Sequence, residues 1–139
     1  MPGNGNGAFN CLTQVWKKLP DASSDFVSQS VPTTMYAGEF YNVEITMKNV
    51  GTTTWQAGTA YRLGSQNPQD NTRWGMNRVT LPYSVPPGAQ ATFSFQITAP
   101  GKAGNYNFQW RMVQDGVEWF GDYTTNIIVR VKTPVCPTC

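Results

Sequence analysis

From Ser24 onward, apolar and polar residues alternate with period two, the spacing of strands that bury one face and wet the other. Tyr41, Val43, Ile45 and Met47 alternate with Asn42, Glu44, Thr46 and Lys48. Ala91, Phe93, Phe95 and Ile97 alternate with Thr92, Ser94 and Gln96, and Tyr106, Phe108, Trp110 and Met112 with Asn107, Gln109 and Arg111. Shorter runs at 26–31, 53–55 with 61–63, 78–81, 117–120 and 127–131 complete the set. Between them fall turn signals: Pro32, Ala37-Gly38, Asn49-Val50-Gly51, Pro82, Pro86-Pro87-Gly88 and Ala99-Pro100-Gly101. Asp115-Gly116 marks a hairpin. Residues 64–77 read as one long polar loop, and no segment sustains a 3.6 period. Seven to eight strands, with a turn about every 8–12 residues, predict an all-β fold: an antiparallel β-sandwich around a single core.

Three segments follow. Residues 1–22 form an N-terminal extension, 23–132 the sandwich, and 133–139 a tail that contains cysteines. With 139 residues the chain holds one domain. Charged residues are 13%, about half the usual ~25%, and hydrophobic ones are 40%, enough for a core and against disorder as the main state. The net charge of +2 comes from Lys17 and Lys18, so no basic stripe exists that would neutralise a nucleic-acid backbone. No window approaches 18 apolar residues, which excludes a membrane-inserted helix. The lead lacks the basic and apolar regions of a signal peptide. The compartment stays open, with the extracellular or cell-surface side preferred.

The chain has no histidine, which closes Ser-His-Asp and Cys-His catalysis and histidine metal ligation. The acids form no pair suited to facing across a cleft: Asp115 serves the hairpin turn, and Glu118 and Asp122 lie on one flank near Arg111. An enzyme is not expected, nor is a cofactor. Cys11, Cys136 and Cys139 all lie outside the sandwich, so disulfides or free thiols in the tails are expected before a metal site or redox chemistry. An odd number leaves one thiol for a bridge between chains.

The tryptophans carry the specific signal. Trp55 follows Asn49-Val50-Gly51-Thr52-Thr53-Thr54, and Trp74 sits in Thr72-Arg73-Trp74-Gly75. Trp110 sits within Tyr106–Met112, and Trp119 follows the hairpin. With Val85-Pro86-Pro87-Gly88 and Ala99–Gly104, this pattern resembles the four-tryptophan (FW) domain over about residues 24–131. That is the immunoglobulin-like central domain of the neighbour-of-breast-cancer-gene autophagy receptors, and similar modules occur in many bacterial proteins. The resemblance implies an immunoglobulin-like sandwich without catalysis. In the receptors such a domain is a protein-interaction module that includes cargo binding; in bacteria it is an accessory module.

By strand phase, Trp110 and Trp55 are core residues. Of Trp119 and Phe120, one faces in and the other out. Trp74 either folds back as a lid on the core or joins Arg73 and Arg78 as a recognition residue on the loop. Trp16, with Leu12, Val15 and Leu19, gives the lead a small apolar surface that packs on its own sandwich or docks on a neighbour. The expected function is therefore protein binding or structural assembly, with tails contacting another protein or further copies of the chain. A carbohydrate-binding accessory module using loop 64–77 is the alternative, on account of the loop's amide side chains and its aromatic residue. A fragment of a larger surface protein is a third reading.

Overall fold

A computed structural model describes residues 21–134. Cys11, Cys136, Cys139 and Trp16 lie outside the described residues. In chain order the strands are β1 (Ser24–Ser30), β2 (Thr34–Tyr36), β3 (Phe40–Asn49), β4 (Tyr61–Gln66), β5 (Arg78–Thr80), β6 (Gln90–Thr98), β7 (Gly104–Gln114), β8 (Glu118–Tyr123) and β9 (Ile127–Lys132). They form two sheets, one ordered β1-β3-β6 and the other β2-β9-β7-β4-β5, with β8 also paired to β7. All pairings are antiparallel except β2 with β9.

The core forms where the alternating faces meet. Val43, Ile45 and Met47 of β3 and Phe93 and Ile97 of β6 come from the smaller sheet. Leu63, Phe108, Trp110, Met112, Val129 and Val131 come from the larger. Trp110 is fully buried, with Phe95 at 5.3 Å and Phe108 at 6.0 Å in tilted, edge-on arrangements that suit aromatic quadrupoles. The indole Nε1 atoms of Trp55 and Trp110 have no acceptor among the described residues, so apolar area and ring contacts carry the contribution of these side chains.

Several expectations need correction. The run 53–55 is not a strand: Trp55 makes a single bridge to Val85, each N–H donating to the other's carbonyl at 3.0 and 2.9 Å. Thr34–Tyr36, which showed no pattern, is a strand in parallel pairing with β9. The polar stretch Gly64–Gln66 belongs to β4, so the loop begins at Asn67. The hairpin loop has three residues, Asp115 to Val117, with Gly116 at φ 82° in the conformation glycine favours.

Asn49 ends β3 and ties two turns together. Fully buried, it donates from Nδ2 to the Thr53 and Val85 carbonyls at 3.0 and 2.8 Å and accepts from the Gly51 N–H at 3.0 Å. Its backbone closes on the Pro-Gly turn, the Gly88 N–H donating to its carbonyl at 2.7 Å and its own N–H donating to the Ala89 carbonyl at 2.9 Å.

Two substitutions test this core. Trp110→Ala removes a large, fully buried ring and is expected to cost about 3–5 kcal/mol in a denaturant melt. Asn49→Ala leaves buried backbone groups without partners and is expected to cost about 2–4 kcal/mol by the same measurement, although it deletes no apolar contact.

Candidate functional site

The side chains of β7 that point away from the core share their face with those of β4, β5 and β8. Arg62, Val113 and Trp119 stand in one cross-strand row; Gly64, Arg111 and Tyr123 stand in the next, with Arg78 paired to Gly64. Alternation turns Phe120 inward and Trp119 outward, and a bulge in β8 between these rows brings Tyr123 opposite Arg111.

Gly64 makes room for the Trp119 ring. A Cβ there would stand 2.5 Å from Trp119 Cη2, so the indole reaches across the sheet only because β4 has no side chain at that point. Arg78 lies over the same indole, its guanidinium carbon 4.8 Å from the ring centroid. Arg111 stacks likewise on Tyr123 at 4.6 Å, and its Nε donates to the Gly121 carbonyl at 2.8 Å.

Asp115 anchors the arginines. Its carboxylate accepts from Arg62 at 2.9 Å and from Arg78 Nε at 3.0 and 3.2 Å, while Arg78 also binds Asp70 and the Asn77 carbonyl. Burial opposes ionisation of Asp115, but the hydrogen bonds and charges of Arg62 and Arg78 outweigh it and hold the carboxyl below its ordinary range. Two arginines and two aspartates balance, so this cluster is neutral. Beside it lies an open cleft of about 270 Å³, whose lining includes Arg78, Val113, Asp115, Val117 and Trp119. Val117 is 66% exposed, while Val113, although on the outer face, is buried.

The residues singled out from sequence separate. Arg78 belongs to this face. Arg73 does not: it lies over Tyr106 at 5.5 Å, a residue that packs on the core. Trp74 is 1% exposed, packs edge-on against Phe108 at 5.5 Å, and donates from Nε1 to the Asn107 carbonyl at 3.1 Å. Of its two expected placements Trp74 takes that of a lid on the core, where the loop folds back over the sandwich edge. Of Trp119 and Phe120, Phe120 is the one that faces in, and Trp119 lies partly exposed on the outer face.

Side chains tie the loop back to the end of β4. The Ser65 hydroxyl donates to the Asn71 carbonyl at 2.6 Å, and Asn71 Nδ2 donates to the carbonyls of Gln66 and Pro68. Trp74 is the only aromatic residue between 64 and 77, and its burial leaves this stretch without an exposed ring. Arg62, Arg111 and Tyr123 were missed as site residues, although Arg62 lies between Tyr61 and Leu63, and Arg111 between Trp110 and Met112, in the polar phase of their strands.

A family model described as an Ig-like domain from next to BRCA1 gene matches residues 30–132. A search of curated proteins gives no match.

Two predictions concern the cluster. Gly64→Ala is expected to leave the chain folded, since the obstructed atom is the far end of a side chain, and to cost about 1 kcal/mol. The Trp119 indole resonance should move, and its contact with Arg78 should be lost in NMR spectra. Asp115, with its folded-state pKa lowered, contributes stability that is complete above the ordinary carboxylate range and is lost as pH falls through that lowered value. Denaturant melts across acid pH should therefore show the gap between the native chain and Asp115→Asn closing as pH falls.

Proposed function

This chain belongs to the family of the Ig-like domain from next to BRCA1 gene, and on that premise we propose a non-catalytic protein-interaction module that uses the outer face of the larger sheet. The family supports protein interaction in general. The observation that carries the choice of face is the concentration of Trp119, Tyr123, Arg62, Arg78 and Arg111 on it, with Trp119 and Arg78 lining the open cleft. Trp, Tyr and Arg are the residue types that dominate binding energy at interfaces. Here they are held in place before any partner arrives, by stacking and by Asp115, so less side-chain freedom is lost on association.

The neutrality of the Arg62–Arg78–Asp70–Asp115 cluster fits a partner surface of mixed polar and apolar character rather than a polyanion. Carbohydrate recognition is less favoured, because the aromatic residue of loop 64–77 is buried. Contacts through Trp16, Cys11, Cys136 and Cys139, with another protein or a further copy, form a separate proposal. Light scattering with and without reductant would test it.

A displayed library of random peptides, selected on the domain, tests the outer-face reading. Chemical-shift changes caused by the selected peptides should centre on Trp119, Val117 and Arg62. Trp119→Ala should keep its unfolding midpoint within about 1 kcal/mol and weaken those peptides by about tenfold or more. Peptides that map elsewhere and ignore Trp119→Ala would refute the assignment.

A further inference from the structure

The smaller sheet ends at β1 and β6; the larger ends at β2 and β5, and its off-path strand β8, paired only with β7, lies against β1, where Asp122 Oδ2 accepts from the Phe26 N–H. Three of these edges are guarded. β1 has a bulge between Phe26 and Ser28, its Phe26 N–H donates to Asp122 Oδ2 at 3.2 Å, and Gln29 Nε2 donates to the Thr125 carbonyl at 2.8 Å. β2 has three residues, and its Tyr36 N–H donates to the Tyr41 hydroxyl at 2.7 Å. β5 also has three residues, and Pro82 follows closely. Short strands, bulges and prolines are the usual means of blunting an edge.

β6 has none of them. It runs for nine residues, QATFSFQIT, without a charge, a proline, a glycine or a register shift against β3. No strand pairs with its outer edge among the described residues. The ends of that edge are capped. The Tyr83 hydroxyl donates to the Gln90 carbonyl at 3.3 Å and accepts from the Thr92 N–H at 3.4 Å, and the Thr98 N–H donates to the Trp74 carbonyl at 2.9 Å. These contacts place the backbone groups of residues 90, 92, 94, 96 and 98 on the outward side, because strand groups alternate. Between the caps lie the Thr92 carbonyl and both backbone groups of Ser94 and Gln96.

We propose that β6 is a dimerisation edge: two copies of this chain pair antiparallel through residues 92–96, about a two-fold axis at Ser94. This proposal does not depend on the outer-face reading. In that register Ser94 exchanges both backbone bonds with Ser94 of the second copy, and the Gln96 N–H of each copy donates to the Thr92 carbonyl of the other. The Tyr83 hydroxyl holds the Thr92 N–H and so competes for it with the Gln96 carbonyl of the second copy.

The edge is self-complementary, which selects a second copy as the occupant. Thr92 meets Gln96 and Ser94 meets itself, so no like charges face each other. On the inner side Phe93 meets Phe95, which is only partly buried in the single chain. The nearest charge on the outer side is Glu44, 3.4 Å from Ser94 Oγ and one strand inward. Across the dimer the two Glu44 residues stand three strand spacings apart, about 14 Å, beyond a Debye length in physiological salt. The caps also fix the register, since a slip in either direction runs into Tyr83 or Trp74.

Sedimentation of the full chain over a concentration series, in reducing buffer so that cysteines cannot link copies, tests the proposal. The native chain should shift from monomer to dimer with concentration. Ser94→Lys places two ammonium groups across the axis and should raise the dimer dissociation constant about tenfold or more. Tyr83→Phe, which removes the capping hydroxyl, should lower it. A native chain that is monomeric throughout, or a dimer indifferent to Ser94→Lys, overturns the proposal. If Ser94→Lys fails to fold, amide exchange of the native chain decides: protection at Ser94 and Gln96 that rises with concentration supports the edge, and unchanged protection refutes it.

Discussion

The pleat of β7 is the constraint on which the rest of the molecule depends. It is the longest strand and is paired along both edges, with β4 on one side and β8 and β9 in succession on the other. Alternation then divides its residues without choice. Phe108, Trp110 and Met112 enter the core, and Gln109, Arg111 and Val113 go to the outer face. A shift of one residue would exchange the two sets, exposing Trp110 and burying Arg111 without a partner. The core and the candidate contact surface are therefore fixed by one register.

That linkage explains how the outer face holds so many arginines in a chain poor in charge. Arg62 and Arg78 converge on Asp115 because β7 ends beside β4, where the Asp115 N–H donates to the Ala60 carbonyl at 2.9 Å, and Arg78 also lies across Trp119. The Trp119 ring fits because β4 presents glycine at that point. Hairpin, glycine and arginines are parts of one arrangement, with little freedom for any of its side chains.

Where residues alternate over many positions, the fold was legible. β3, β6 and β7 follow their sequence pattern because each has one dry face and one wet face, and the family resemblance agrees with the match to residues 30–132. Short elements were not legible. Thr34–Tyr36 is too short to show a period and exists because β9 lies beside it. Ser65 and Gln66 read as loop because they are polar, yet both are buried, and the loop that returns over them bonds to the Ser65 hydroxyl and the Gln66 carbonyl. Trp74 was ambiguous for a related reason: a polar loop signals exposure, but it does not say which way its one large ring turns. The site was legible only at Arg78. Arg62, Arg111 and Tyr123 come together through cross-strand register, which depends on pairing and not on local spacing.

The parallel contact between β2 and β9 gives the domain a mechanical character. It is closed by the Arg130 N–H to the Thr33 carbonyl and the Ala37 N–H to the Lys132 carbonyl, both at 2.8 Å. Tension applied through the two ends of the sandwich would draw these strands past each other in opposite senses. Their bonds would then carry the force together, as a lap joint does. β1 is held at its entry as well, where the Asp21 carbonyl accepts from the Thr52 and Thr53 N–H groups at 3.1 and 3.0 Å. A pull along the sandwich would load the β2–β9 pair before it reached the core and the arginine face.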